Sequence, residues 1–276
     1  MCTFASCLKN MKHVFYILVV SCLLLSCSDF QKTLKSEDAA AKFNLGTELF
    51  DAGKYNKAFR LFEQILPKYR GKPQAEKLTF MHAKCSYELG DYYIASYHFD
   101  NFVDIYPNSE KAEEAAFLSA KGHYYNSPVY SKEQKETIEA IEKLQLFLNS
   151  YPNSQYLAEA NSLVKELDFK LERKSFEIAK QYDLIRDYKA SIKSFNNFLL
   201  EFPGTSLKEK ALFYRFDAAY NLAILSIDSL KEQRIKDALG YYNNLITAYP
   251  NTEFLVDSER MREELQQELN TLTTKS

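Results

Sequence analysis

The chain has 276 residues, 46% hydrophobic and 26% charged, which is enough to bury a continuous core and excludes a disordered polymer. With 35 Lys plus Arg against 37 Asp plus Glu, the net charge of −2 and the lack of a long single-sign run argue against nucleic-acid binding. Seven Gly and seven Pro are few for an all-β fold with many tight turns, while 20 Tyr and 20 Phe without Trp suit helix pairs packed through aromatic knobs.

The first element is a targeting segment. From Met11, a possible true start, the chain reads Met-Lys-His, then an apolar stretch from Val14 to Leu25, then Ser26 and Cys27. That layout is a signal peptide over residues 1–26, and its apolar run is short of the roughly 20 residues a spanning helix needs. The end, Leu24-Leu25-Ser26-Cys27, resembles the lipobox of bacterial lipoproteins. The resemblance implies cleavage before Cys27, whose sulfur would carry diacylglycerol and whose amine would be acylated, with no other cofactor. Several acyl chains would hold the protein at the membrane essentially irreversibly. Ser28 stands where an aspartate would, in some bacteria, retain a lipoprotein in the inner membrane, so passage to the periplasmic face of the outer membrane is expected. Residues 27–37 form a short linker. Beyond Cys27 only Cys85 carries a thiol, so no disulfide is expected in the exported body.

Residues 38–270 are repetitive. An aromatic-Pro-small-Ser/Thr corner recurs at Tyr106-Pro107-Asn108-Ser109, Tyr151-Pro152-Asn153-Ser154, Phe202-Pro203-Gly204-Thr205 and Tyr249-Pro250-Asn251-Thr252, with a degenerate copy at Tyr69-Arg70-Gly71-Lys72. Proline cannot continue a helix, and a Ser or Thr two residues on can cap the next one. Upstream of each corner a small residue stands four before a large one: Ala58 and Phe62, Ala95 and Phe99, Ala140 and Leu144, Ser191 and Phe195, Ala238 and Tyr242. That spacing puts both on one helix face, so a neighbouring helix can approach closely beside a ring. Gly46, Ala83 and Ala179 each lie 12 residues before the matching small position, and Gly53-Lys54-Tyr55 and Gly90-Asp91-Tyr92 read as turns between paired helices.

These offsets resemble the tetratricopeptide repeat and predict an all-α fold, a right-handed superhelix of about five helix pairs. Pairs one and two fill 38–110. Pairs three to five fill 111–270 with a capping helix around Asp257 to Leu269, and 271–276 is a tail. Segments Asn126 to Lys135 and Ser226 to Arg234 are expected to lengthen two turns.

A lipobox followed by five such pairs resembles the BamD family of outer-membrane β-barrel assembly lipoproteins. Tyr151-Pro-Asn-Ser-Gln-Tyr156 with Ala158 and Ala160, and the helix through Leu171 to Tyr182, look like that family's middle section. The resemblance implies a scaffold, not an enzyme, whose N-terminal repeats contact unfolded barrel precursors and whose C-terminal repeats contact the barrel insertase BamA. In the fourth repeat's second helix, where a basic contact residue would be sought, Lys193 stands beside Ser194.

In the repeat register, Phe43, Thr47 and Phe50 followed by Lys77, Phe80, Lys84 and Tyr87 line the inner face of the first two pairs. Rings flanked by two lysines suit an extended peptide ending in an aromatic residue and a carboxylate, as barrel precursors would by the resemblance. The same rings would serve equally as core between repeats. His13, His82, His98 and His123 lack ligand-type spacing, and no phosphate loop or nucleophile motif occurs, so neither metal binding nor catalysis is expected. A second function class stays open, a repeat lipoprotein coordinating peptidoglycan or trans-envelope complexes, although Ser28 to Glu37 leaves little chain for a stalk.

Overall fold

In the computed structural model, residues 29–275 are described, and the expected signal peptide and Cys27 lie outside them. Among the described residues every regular element is helical, as in a tetratricopeptide-like repeat. A short helix α1 (29–35) precedes five pairs. The pairs are α2 (Ala39–Asp51) with α3 (Tyr55–Tyr69), α4 (Ala75–Glu88) with α5 (Tyr92–Ile105), and α6 (Ala112–Asn126) with α7 (Lys135–Ser150). Then come α8 (Leu157–Leu184) with α9 (Tyr188–Glu201), α10 (Lys208–Ile224) with α11 (Asp228–Ala248), and α12 (Leu255–Lys275) last. None of these helices is long and apolar enough to cross a membrane.

Each corner carries out its local chemistry in the same way. The Ser109, Ser154, Thr205 and Thr252 hydroxyls accept hydrogen bonds from the backbone N–H two residues on, at 3.0, 3.0, 3.1 and 3.3 Å, just before α6, α8, α10 and α12 begin. Within the pairs, Gly53 and Gly90 adopt φ of 69° and 81°, a conformation costly for a side-chain-bearing residue. At the matching turn of the fourth pair Arg186 takes φ 64°. Asp38 caps α2 by accepting from the N–H groups of Ala40 and Ala41.

The small-plus-large pairs are the core. Ala58 with Phe62, Ala95 with Phe99, Ala140 with Leu144 and Ser191 with Phe195 are all 0% exposed. Burying a Phe or Leu of this kind contributes about 2–3 kcal/mol each. Gly46 permits the first close approach: a Cβ there would lie 2.5 Å from Phe62 Cε1.

Two compact units follow from this packing. One comprises α1 to α6 with residues 139–163, and the other comprises 128–138 with 164–276. The third pair's α6 and most of α7 thus belong with the first two pairs. In the first unit Ala58, Phe62, Ile65 and Leu78 head one cluster. In the second, Phe176, Phe195 and Phe198 head one cluster and Phe216, Ile235 and Leu265 another.

Two expectations need correction. The segment Ser226 to Arg234 does not lengthen a turn; from Asp228 it is the first part of α11, so the fifth pair's extra residues extend a helix. With no Gly or Pro from Ser226 to Arg234 and Lys, Glu, Gln and Arg within it, nothing halts the helix. The expected tail from 271 is likewise helical as far as Lys275. The turn between α6 and α7 is long, as expected, and Gln134 Nε2 braces it by donating to the carbonyls of Val129 and Lys132 at 2.9 Å.

Candidate peptide-binding groove

Lys77, Phe80 and Lys84 are spaced three and four apart on α4, so helical geometry puts them in one stripe. The stripe faces a groove of about 610 Å³ in the first unit, to which Phe50 at the end of α2, Met81 and Phe102 of α5 contribute the apolar wall. Phe80 is its floor. Its ring packs against Phe99 and Phe102 at centroid distances of 5.8 and 5.5 Å and is only 8% exposed. It therefore serves as core and presents only an edge to a ligand.

The rim is charged. Lys84 Nζ pairs with Glu88 at 2.8 Å and lies 5.2 Å from the Tyr87 ring. Lys111, just before α6, pairs with Glu114 at 2.8 Å and stands 5.4 Å over the Phe80 ring. The hydrogen bond that the Lys111 ammonium donates to Glu114 holds it above its usual lysine pKa. Glu76 accepts from Ser109 Oγ at 2.5 Å. Lys77 is exposed and forms no ion pair among the described residues. An incoming carboxylate would thus meet Lys77 first, beside two lysines already held over rings. An apolar wall beside fixed cations suits recognition of an extended anionic ligand.

The structure brings Phe50, Lys77, Phe80 and Lys84 to this groove and places the other expected residues elsewhere. Phe43 stacks on Tyr69 of α3 at 5.4 Å, and Thr47 Oγ1 donates to the Phe43 carbonyl at 2.9 Å. Tyr87 is packed among Tyr92, Phe99 and Tyr125, where burial pushes its phenol far above the ordinary range. Lys193 is exposed on α9 in the second unit, with no ion pair among the described residues. Lys111 and Phe102 are lining residues that the α4 stripe alone does not reveal, because Phe102 comes from α5, the partner helix of the same pair, and Lys111 from the corner that follows it.

At the start of the described residues, Phe30 of α1 is buried, with Lys57 Nζ and the Arg60 guanidinium 5.4 and 5.7 Å from its ring. These contacts tie the start of the described chain to α3.

A family model described as an outer membrane lipoprotein, YfiO, matches residues 35–234. The chain is 24% identical over 219 residues to the outer membrane protein assembly factor BamD of Caulobacter vibrioides, covering 79% of this chain and 68% of that protein. It is 21% identical over 232 residues to BamD of Haemophilus influenzae, covering 80% and 88%. A putative BamD of Aquifex aeolicus is 26% identical over 197 residues, covering 70% and 64%. Since the family match covers residues 35–234, well over half of the chain and parts of both units, the chain belongs to the YfiO family of outer membrane lipoproteins.

Proposed function

We propose that this chain is a lipid-anchored scaffold that acts in outer-membrane protein assembly, the process its relatives' names give them. It holds a β-barrel precursor through the first unit's groove while its C-terminal repeats hold the barrel insertase, and no covalent chemistry is involved. Lipid on Cys27 keeps the body at the periplasmic face of the outer membrane. The observation that carries the reading is the groove itself: an aromatic and aliphatic wall with unpaired Lys77 and ring-held Lys84 and Lys111 at the rim. An extended peptide with a terminal aromatic residue satisfies both parts, the ring against Phe50 and the exposed edge of Phe80 and the carboxylate among the lysines.

The test is fluorescence anisotropy with a labelled peptide ending in Phe and a free carboxylate. Reversing Lys77→Glu and Lys84→Glu together should weaken binding about tenfold or more, as loss of about 1.4 kcal/mol or more requires. Equal affinity of the variant, or of an amidated peptide, sinks the assignment of the groove.

A further inference from the structure

The stripe that lines the first groove occurs twice. Adding 96 to each number converts Lys77, Phe80 and Lys84 of α4 into Arg173, Phe176 and Lys180 of α8, a cation, a phenylalanine and a cation at the same spacing. The offset persists without a gap through the turn and the next helix: Gly90 to Arg186, Tyr92 to Tyr188, Phe99 to Phe195, Phe102 to Phe198, Pro107 to Pro203 and Ser109 to Thr205.

The geometry repeats with the sequence. Phe176 packs on Phe195 and Phe198 at 5.6 and 5.7 Å, as Phe80 packs on Phe99 and Phe102 at 5.8 and 5.5 Å. Above it opens a groove of about 440 Å³, lying wholly in the second unit between α8, α10 and the corner before α12. Phe169, Tyr214 and Phe254 supply its apolar wall, and Arg173, Lys180 and Lys210 its cations.

The electrostatics favour an anion more strongly here than in the first groove. Arg173 lies 4.3 Å from the Tyr130 ring and Lys180 lies 4.8 Å from the Tyr214 ring. None of the three cations forms an ion pair among the described residues, and the carboxylates at this rim are Glu177 and Glu253. Three cations against two rim carboxylates, two of the cations held over rings and none in a direct ion pair, are poised for a further carboxylate.

We propose that this second groove is a second peptide site of the same ligand class: an extended chain with an aromatic side chain at its end and a free terminal carboxylate. The chain would then engage two such ends. The ligand class rests on the reading of the first groove given above; the site itself rests on the repeated geometry.

The whole lipoprotein in detergent is exposed to a peptide whose C-terminal residue is a diazirine-bearing phenylalanine, and the crosslinked residues are mapped by mass spectrometry. Two sets are expected, one within Pro73–Lys84 and one within Phe169–Lys180 and Leu207–Tyr214. Arg173→Glu with Lys210→Glu, both exposed positions whose change should leave the melting curve intact, should cut the second set about tenfold and spare the first. Arg173→Gln with Lys210→Gln should act in the same direction. Crosslinks in the first set alone, a second set indifferent to either variant, or equal labelling by an amidated peptide overturns the second site. A second set without a first supports this site and refutes the first groove's role. No crosslinks in either set refutes both.

Discussion

His82 should make this protein acid-labile, and the size of the effect can be worked out. Its ring is 5% exposed, stacked 4.6 Å from Phe59 of α3 and edge-on 4.8 Å from His98 of α5. Burial, with His98 adding, holds the imidazole down at about 4 against an ordinary 6.5. A base whose folded pKa lies below its unfolded one gives the proton to the unfolded chain first. Stability is therefore full above about pH 6.5 and falls as pH drops towards the folded value of about 4. At about 1.36 kcal/mol per unit, lowering the pH from 7.5 to 5 removes about 2 kcal/mol through this one residue. His98, also held low by burial, adds in the same direction. His82→Phe keeps a ring against Phe59 and removes the proton site, at a packing cost under about 1.5 kcal/mol. Urea titrations of both proteins at the two pH values measure the difference directly, and other titrating groups cancel between them. Wild type should lose about 2 kcal/mol more than the variant. Equal losses would refute the argument that His82 is buried uncharged.

Three further outcomes follow from particular positions. Gly46→Ala drives a methyl to 2.5 Å from the fully buried Phe62 ring, so overpacking of about 1–3 kcal/mol should outweigh about 1 kcal/mol of helix propensity, and urea denaturation should show a net loss of about 1 kcal/mol. Arg186→Gly relieves a left-handed conformation that glycine holds at the matching turns, and should raise the denaturation midpoint by up to about 1 kcal/mol of stability in the same assay. Cys85 is 0% exposed and burial pushes its thiol up to about 12, so peptide mapping after alkylation should find it unmodified in the native protein and labelled in urea.

The repeat architecture is legible in the sequence because its signals are local. At Pro107, Pro152, Pro203 and Pro250 the proline follows the aromatic residue just past a helix end, and the Ser or Thr two residues later accepts from the N–H two residues beyond it. Tyr106-Pro107-Asn108-Ser109 thus predicts its own structure, whereas Pro67, without such a corner, lies inside α3. Small residues four before large ones mark close helix approach, and Ala58, Ala95, Ala140, Ser191 and Ala238 are all 0% exposed. Where helix and turn propensities lie close together the local signal fails, and Ser226 to Arg234 extends a helix because no Gly or Pro interrupts it.

The candidate site was half legible. Phe50, Lys77, Phe80 and Lys84 follow from periodicity on single helices. Phe43 and Tyr87 share that periodicity, yet one stacks on Tyr69 and the other on Tyr92 and Tyr125, partners contributed by other helices. Helical periodicity alone cannot separate a ring that lines a groove from one that joins two helices. The second groove has a plain signal in the sequence, the ungapped 96-residue offset. It is masked because the third pair between the two copies carries a different turn and a different first helix.

The central claim, a scaffold joining barrel precursor to insertase at the outer membrane, is tested most directly by affinity purification. The tagged lipoprotein is isolated from detergent-solubilised envelopes beside a Cys27→Ala form, and the bound proteins are identified by mass spectrometry. The account predicts recovery of a large outer-membrane barrel protein with periplasmic repeat domains, reduced for the unlipidated form. Recovery of peptidoglycan enzymes or a trans-envelope complex in its place would contradict it.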